Sequence, residues 1–263
     1  MVQGTRVLVL GGGGAGIGRA IVRRLGDAKA SVVVADLQQG RAEEAAAELV
    51  GQGVDAWPVW GDVRSETELQ TMIGSAVDVL GGLDGLVTVV GGQVAFVPAV
   101  KLHEMADEDW DTIYEVNLRY VARAVRQVLP IFLDQGEGGV IVSVGSVTGF
   151  MAAPLQGAYG VAKAGLLSLA RTVAAEYAAD GIRMNVVAGG AISTGVANTG
   201  SEEWVNEIPV GRYGTTDEIA DAALYLLSDA SAYVTGQQIV VDGGVSVRGP
   251  FASTHPCPDS DRL

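Results

Sequence analysis

Tyr159, Lys163 and Ser146 are the residues in this sequence whose types and spacing best fit proton transfer. Tyr159 and Lys163 lie one helical turn apart in a segment with a helical pattern, so their side chains project from one face. Ser146 lies upstream, where a Val-rich strand ends. A phenol beside an ammonium group can exchange a proton with an alcohol, and a serine hydroxyl can hold the reacting oxygen. The three residues predict acid/base chemistry.

A glycine-rich turn follows the first Val-rich strand. Gly12, Gly16 and Gly18 follow that strand, at 6–10, and open a helical segment that begins at Ile17. Glycines in a strand–turn–helix unit let the backbone approach a pyrophosphate, which the free N–H groups at the helix N-terminus bind. The turn predicts a dinucleotide site, to which Ile17 also belongs.

The second strand ends at Asp36, which is followed by Leu37. A carboxylate here can accept hydrogen bonds from the adenosine ribose hydroxyls and repels a 2′-phosphate. The neighbouring Ala15 and Leu37 carry no positive charge. We therefore predict NAD rather than NADP as the cofactor, with Asp36 and Leu37 in its binding site. The alternative is that Asp36 only caps the following loop.

Strand-like and helix-like segments alternate along the chain. The strands are Val-rich without an apolar–polar alternation, which is typical of strands buried on both faces. The predicted fold is α/β, a single-domain doubly wound (Rossmann) parallel seven-stranded sheet with helices on both faces and strand order 3-2-1-4-5-6-7. Residues 1–247 form the predicted NAD-binding domain and 248–263 an irregular C-terminal tail. The predicted strands are 6–10, 31–35, 54–59, 85–90, 138–144, 183–187 and 238–241, and the predicted helices are 17–28, 41–51, 66–80, 108–135, 158–179 and 217–228.

The composition argues against several classes of function. The chain has 263 residues, of which 48% are hydrophobic, and a net charge of −14. This charge repels the phosphates of nucleic acids and anionic membranes, and no apolar run reaches the roughly 18–20 residues of a membrane span. We expect a small-molecule substrate, with neither a nucleic-acid nor a membrane partner. The first residues show no signal-peptide pattern, so we expect a cytoplasmic enzyme.

The sequence predicts no metal site. Cys257 is the only cysteine, which excludes an intrachain disulfide and a thiolate metal site. His103 and His255, the only two histidines, have no spacing typical of metal ligands.

Taken in their order, these motifs resemble the short-chain dehydrogenase/reductase family, and the likeness covers residues 4–247. In that family a Tyr-x-x-x-Lys pair, an upstream serine and an asparagine perform the chemistry. The resemblance assigns these roles to Tyr159, Lys163, Ser146 and Asn117. It implies an NAD-dependent oxidoreductase that transfers a hydride between nicotinamide and a secondary alcohol or ketone, with Tyr159 as general acid/base. It also implies that Asn117 holds a water that links Lys163 to solvent.

The resemblance extends to the cofactor contacts. Asp62 and Val63 resemble the pair that contacts adenine, and Gly190 and Thr194 match the loop that binds the nicotinamide amide. The resemblance implies cofactor-binding residues after the third, fourth and sixth strands and on the helix that carries Tyr159 and Lys163. These residues are Asp62, Val63, Gly91, Tyr159, Lys163, Gly190, Ile192 and Thr194.

Three positions depart from the family pattern. First, Gly11 replaces the threonine that usually opens the glycine motif. Second, residues 88–91 read Thr-Val-Val-Gly where the family has Asn-Asn-Ala-Gly. Third, Gly189 replaces a proline. The first two changes remove side-chain hydrogen bonds that brace the sheet. The third gives the nicotinamide loop more backbone freedom. None of them affects the proton-transfer residues.

The predicted mechanism depends on the pKa of Tyr159. A free phenol, with a pKa near ~10, is a poor base at neutral pH. We expect the Lys163 ammonium and the positive charge of oxidised nicotinamide to stabilise the phenolate. Lowering the pKa by ~3 units takes roughly 4 kcal/mol. In the reduction direction, neutral Tyr159 donates its proton to the developing alkoxide.

We expect the loops 93–105, 147–157 and 193–209 to form the substrate pocket. An apolar wall with few charges suits a small or medium secondary alcohol or its ketone. The alternative is that these side chains pack only among themselves. The apolar residues of the predicted wall are Phe96, Phe150, Met151, Leu155, Val196 and Trp204.

The helix predicted at 158–179 is apolar almost all round and needs cover on more than one side. With the long helix predicted at 108–135, it favours an isologous four-helix interface. Family members are commonly tetramers, so we expect a homotetramer.

Two alternative functions stay open. A reductase of 3-oxoacyl thioesters shares every motif described above. A non-catalytic dinucleotide-sensing protein is the alternative from another class, and the complete proton-transfer set argues against it.

Overall fold

The computed structural model describes residues 2–194 and 205–248. The strands are β1 (Arg6–Leu10), β2 (Ser31–Asp36), β3 (Ala56–Trp60), β4 (Gly85–Thr88), β5 (Gly139–Ser146), β6 (Ile182–Gly189), β7 (Ile192–Ser193), β8 (Gly214–Thr215) and β9 (Gln238–Val241). The helices are α1 (Ile17–Asp27), α2 (Gln39–Gly51), α3 (Glu66–Leu80), α4 (Asp107–Tyr114), α5 (Tyr120–Gln135), α6 (Gly157–Tyr177) and α7 (Thr216–Leu227). None of the helices in the described part of the chain has the length and apolar character needed to cross a membrane.

Seven strands form one parallel sheet in the order β3-β2-β1-β4-β5-β6-β9, while β7 and β8 pair separately. This confirms the predicted fold class and strand order. The order reverses between β1 and β4, where Leu10 pairs with Thr88, so a crevice opens there at the carboxyl ends of the strands. The boundary between the domain and the tail stays a prediction, because residues 249–263, with His255 and Cys257, lie outside the described residues.

Both faces of the sheet are buried. Leu8 and Leu10 of β1 point into a core that α3, α5 and α6 cover, whereas Val7 and Val9 point into a second core under α1, α2 and α7. Successive strand residues point to opposite faces, so every position of β1 needs an apolar side chain. This explains the Val-rich runs without alternation and confirms the helices on both faces.

The helix predicted over 108–135 is present as an unbroken helical segment, but it is not a regular α-helix throughout. The chain instead forms α4, a π-helical turn (Glu115–Arg119) and α5. Asn117 lies in this turn, fully buried, and its Nδ2 donates to the carbonyl oxygen of Ile113 at 2.9 Å. Such turns are often found at functional sites, and this one directs the Asn117 side chain toward the loop after β4. The cause is a tertiary contact, which the apolar periodicity of the segment does not report.

Candidate active site

At Gly12 and Gly18 the glycine turn between β1 and α1 leaves no room for a side chain. A Cβ atom on Gly18 would overlap the carbonyl oxygen of Gly11 and lie 2.9 Å from its carbonyl carbon. A Cβ atom on Gly12 would lie 2.9 Å from Cγ2 of Val22. Gly11 has φ +94, a conformation that favours glycine and gives a physical reason for the missing threonine. The bare backbone at the N-terminus of α1 fits a pyrophosphate.

The predicted nicotinamide loop lies next to this turn. The Cβ atom of Thr194 lies 3.9 Å from the place that a Cβ atom on Gly16 would take. Gly190 donates its N–H to the carbonyl oxygen of Val241 at 3.0 Å. Ile17 packs partly buried against the core, so it contributes backbone rather than side chain to the turn. The structure therefore brings the two predicted halves of the dinucleotide site together.

Arg19 holds the glycine turn in place, and the sequence reasoning did not single it out. Its guanidinium is buried and donates to the carbonyl oxygen of Gly13 at 3.2 Å, to Glu44 at 2.7 Å and to Glu48 at 3.0 Å. These bonds tie the glycine turn to α2. The sequence did contain a sign of this role, because Arg19 is a charged residue directly after Gly18 on the buried side of an amphipathic helix.

A cavity of about 140 Å³ lies at the carboxyl ends of β1, β2 and β3. Asp36 accepts a hydrogen bond from the backbone N–H of Gln38 at 3.0 Å, so it caps the following loop and also lines the cavity. The surroundings of Asp36 therefore agree with both interpretations from the sequence, the cap of the following loop and a residue of the cofactor cavity. The residues predicted to bind the cofactor that line this cavity are Asp36, Leu37, Asp62 and Val63. Other residues that line it are Gly11, Arg64, Val90 and Phe96.

Asp62 is held by a neighbour that the sequence reasoning did not single out. The Nε of Arg64 donates to Oδ1 and Oδ2 of Asp62 at 3.0 and 2.9 Å, and a terminal guanidinium nitrogen donates to Oδ2 at 2.6 Å. This pairing holds the pKa of Asp62 below its usual value. Glu68 accepts the backbone N–H of Asp62 at 2.8 Å. The carboxylate is thus kept ionised and oriented at the rim of the cavity.

The three predicted proton-transfer residues meet at the carboxyl end of β5. Ser146 and Tyr159 line the same cavity, and the Ser146 hydroxyl acts to lower the pKa of Tyr159. The Nζ atom of Lys163 lies 5.5 Å from the centroid of the Tyr159 ring and donates to the carbonyl oxygen of Val144 at 2.9 Å. Ser146 is the last residue of β5, and the other two share one face of α6. This cluster can exchange a proton with an oxygen atom placed against the two hydroxyls.

The protein groups alone shift the pKa of Tyr159 in the direction opposite to the one predicted. Burial raises the pKa of Tyr159, and the hydrogen bond to Ser146 offsets only part of this effect. Burial also lowers the pKa of Lys163, to about 8. The Lys163 ammonium lies over the ring and bonds to Val144 rather than to the phenolic oxygen. The site therefore favours a neutral phenol that donates a proton, and the phenolate needs further positive charge.

The oxygen and the nitrogen of the Asn117 side-chain amide both bond to the backbone of Gly92. Its Oδ1 accepts the N–H of Gly92 at 2.9 Å, and its Nδ2 donates to the carbonyl oxygen of Gly92 at 2.9 Å. A Cβ atom on Gly91 would lie 2.5 Å from Oδ1 of Asn117 and 3.2 Å from Nζ of Lys163. Asn117 and Lys163 therefore meet at Gly91, which must be glycine. That Asn117 also holds a water stays a prediction.

New hydrogen bonds brace the segment that departs from the family pattern. The Thr88 hydroxyl donates to the Ser143 hydroxyl at 2.8 Å and so joins β4 to β5. The hydroxyl of Tyr120, which is fully buried, donates to the carbonyl oxygen of Val90 at 2.8 Å. These two bonds hold the 88–91 segment against β5 and α5, and the part of Tyr120 in this was not apparent from the sequence.

A second cavity, of about 650 Å³, opens beside the Ser146–Tyr159 pair. The three predicted loops do line this cavity, and its wall is mainly apolar, with Val94, Val147 and Ile208 among the lining residues. The predicted side chains are the part that differs: Phe96 lines the cavity with Asp36 instead. Ile192 lines neither cavity but a smaller one beside β8. Phe150, Met151 and Leu155 are also absent from the wall, and Val196 and Trp204 lie outside the described residues. The polar residues that line the larger cavity are Gln93, Ser146, Thr148, Gln156, Tyr159 and Glu207.

Comparisons with known proteins agree with this geometry. A family model described as Enoyl-(Acyl carrier protein) reductase matches residues 12–246. The 2-(S)-hydroxypropyl-CoM dehydrogenase 3 of Xanthobacter autotrophicus is 37% identical over 250 residues, which cover 91% of this chain and 96% of that protein. The chain belongs to the short-chain dehydrogenase/reductase family. It is therefore an oxidoreductase that acts on CH–OH groups and interconverts secondary alcohols and ketones with a nicotinamide cofactor.

Other relatives of this dehydrogenase differ in their substrates. The 3-oxoacyl-(acyl-carrier-protein) reductase FabG of Thermotoga maritima is 32% identical over 246 residues, covering 92% of this chain and 98% of that protein. The crystal structure of gox2181 superposes with a TM-score of 0.86 at 34% identity, covering 93% of this chain and 97% of that one. For levodione reductase the TM-score is 0.88 at 29% identity, covering 94% and 100%.

Proposed function

We propose that this dehydrogenase uses NAD and acts on an uncharged secondary alcohol or ketone, with Tyr159 as the general acid/base. The observation that carries the proposal is that Tyr159 and Ser146 line one cavity, with Nζ of Lys163 at 5.5 Å from the centroid of the Tyr159 ring. The bound nicotinamide supplies or accepts the hydride. The glycine turn, Asp36, Asp62, Val63, Gly190 and Thr194 would hold the cofactor.

The chain's own residues manage the oxygen and its proton. Ser146 hydrogen-bonds the substrate oxygen and fixes its position against the phenol. Tyr159 donates its proton to the developing alkoxide in reduction and accepts the alcohol proton in oxidation. Lys163 sets the electrostatic potential at the ring, and Asn117 holds the Gly91–Gly92 backbone against which Lys163 lies.

The first test measures NADH formation with free secondary alcohols and NADPH- and NADH-dependent reduction of 3-oxoacyl thioesters. We expect turnover with the free alcohols. No Lys or Arg is among the described residues that line the large cavity, and Glu207 there is paired with Arg248 at 2.5 Å. Residues 195–204 also contain no Lys or Arg and include Glu202 and Glu203. Thioester carriers bear phosphates, which these charges do not attract. Exclusive turnover of thioesters would establish the alternative, and NADH binding without turnover of either class would establish a sensor.

The cofactor preference is tested at Asp36. We expect kcat/KM to be higher with NADH than with NADPH, because the Asp36 carboxylate repels a 2′-phosphate. Asp36→Asn should lower the NADH/NADPH ratio of kcat/KM at least about tenfold, equivalent to ~1.4 kcal/mol. Asp55→Asn, an exposed carboxylate before β3, removes the same charge away from the cavity and should leave the ratio unchanged. A wild-type preference for NADPH would refute the assignment.

We also propose that the protein forms a homotetramer and is located in the cytoplasm. Val161 on α6 is 57% exposed in the single chain, which supports a second copy covering that helix. The single cysteine suits a reducing compartment. Sedimentation velocity at micromolar concentration should give a tetramer, and a monomer there would contradict this part.

A further inference from the structure

Phe96 lines the cavity of about 140 Å³ at the carboxyl ends of β1, β2 and β3, hereafter the Asp36 cavity. Phe96 is 43% exposed, and Leu37, which lines the same cavity, is 62% exposed. Two large apolar side chains that line a cavity and also face solvent lie at its opening. Exposed apolar surface that is concentrated in this way indicates a ligand that covers it.

The backbone on both sides of the Phe96 ring is anchored. The N–H groups of Phe96 and Val97 both donate to the carbonyl oxygen of Gln93, at 2.8 and 2.9 Å. The Gln93 side chain in turn donates to the carbonyl oxygen of Leu155 at 2.7 Å, and Val97 is buried in a cluster with Ile113. A side chain carried by an anchored backbone loses little freedom when a ligand binds, which favours affinity.

The position of the Asp36 cavity in the sheet selects the half of the cofactor that reaches it. The pyrophosphate fits the N-terminus of α1, which follows β1. Ser146, which lines one cavity with Tyr159, is the last residue of β5, and β2 and β3 lie on the other side of β1 from β5. The nicotinamide half must extend toward β5. The adenosine half therefore extends over β2 and β3, into the Asp36 cavity.

The residues that line the Asp36 cavity suit a purine ring, which has two apolar faces and a polar edge. The carboxylate of Asp62, oriented by Arg64, supplies polar atoms for the edge. Phe96 is the only aromatic side chain among the described residues that line this cavity, and aromatic rings stack readily on bases. The aliphatic residues of the wall are Ala35, Leu37, Val63, Val90 and Val116.

We propose that Phe96 binds the adenine base of the cofactor with its ring and so adds to cofactor affinity without taking part in hydride or proton transfer. The inference rests on the proposed position of the cofactor. It concerns the adenosine half, which NAD and NADP share, and it is therefore independent of the preference between them.

The test measures the binding of NADH by fluorescence titration and the binding of AMP by calorimetry, both with the full-length protein. Phe96→Ala should raise the two dissociation constants about tenfold, equivalent to ~1.4 kcal/mol, which lies within the range for base–aromatic stacking. Phe96→Tyr keeps the aromatic ring and should keep both constants within about twofold of the wild type. The value of kcat at saturating NADH should be the same in all three proteins.

Phe150→Ala is the matched control. Phe150 is 49% exposed, but it lines neither the Asp36 cavity nor the cavity beside Tyr159. Its replacement removes an equally exposed ring and should leave both dissociation constants unchanged.

Phe96→Trp gives a spectroscopic readout of the same contact. AMP should quench the emission of the introduced indole, measured as the difference from the wild-type protein with its four tryptophans. A ring that has only a structural role would not produce this signal.

Several results would overturn the inference. These are the absence of AMP binding to the wild type, unchanged NADH and AMP binding in Phe96→Ala, and a loss of NADH binding with unchanged AMP binding. If Phe96→Ala does not fold, Phe96→Trp decides the question, since AMP binding without quenching would also contradict the contact. None of these measurements needs turnover, so an inactive enzyme or a preference for NADPH would overturn the proposed function and leave this inference standing.

Discussion

Replacing Tyr159 with phenylalanine is expected to lower kcat by about 10³-fold, while NADH still binds with near wild-type affinity. The substitution removes only the hydroxyl that exchanges the proton, and general acid/base groups contribute about 10²–10⁴-fold to rates. The ring keeps its packing against Val97, Ile113 and Ala158, so the fold should be retained. Steady-state kinetics give the loss of rate, and NADH fluorescence titration gives the binding constant.

A second buried tyrosine supplies the matched control. Tyr120→Phe removes the hydrogen bond to the carbonyl oxygen of Val90 and should reduce the free energy of unfolding by about 1 kcal/mol. It should change kcat by less than about tenfold, because its hydroxyl lies outside the cavity wall. If Tyr159→Phe kept more than a tenth of the wild-type kcat, the proton-transfer role of Tyr159 would be wrong.

Gly18→Ala is expected to cause the largest structural effect of any single methyl group added to the glycine turn. The new Cβ atom would overlap the carbonyl oxygen of Gly11, a backbone atom that cannot rotate away. Overpacking costs about 1–3 kcal/mol, and we expect the upper end of that range. The backbone shift should also weaken NADH binding at least tenfold, because the same backbone forms the pyrophosphate site. Thermal unfolding and fluorescence titration measure the two effects.

Gly14→Ala is the comparison within the same turn. A Cβ atom on Gly14 would have no atom within 4 Å, and its φ lies outside the left-handed region. Its melting temperature should match that of the wild type. Equal stability of the Gly18→Ala and Gly14→Ala proteins would mean that the packing of α1 against β1 is looser than described.

Much of the site follows from local spacing. Tyr159 and Lys163 share a helix face because of the helical period, and Ser146 reaches them because a parallel strand ends where the next helix begins. Asp36 and Asp62 end up at one edge of the sheet for the same reason. Residues whose placement depends on distant partners were not predictable. Arg19 pairs with Glu44 and Glu48 of α2, and Phe96 lines the cavity with Asp36 rather than the one with Tyr159.

The fold, the order of the strands and the reaction type were predictable from the sequence, because they depend on apolar periodicity and on motifs within single elements. The π-helical turn at Asn117, the hydrogen bond from Arg19 to Gly13 and the one from Gln93 to Leu155 became visible only in three dimensions. Each of these depends on the pairing of polar groups between separate segments. Burial makes such pairing obligatory, but the spacing of residues along the chain does not say which groups meet.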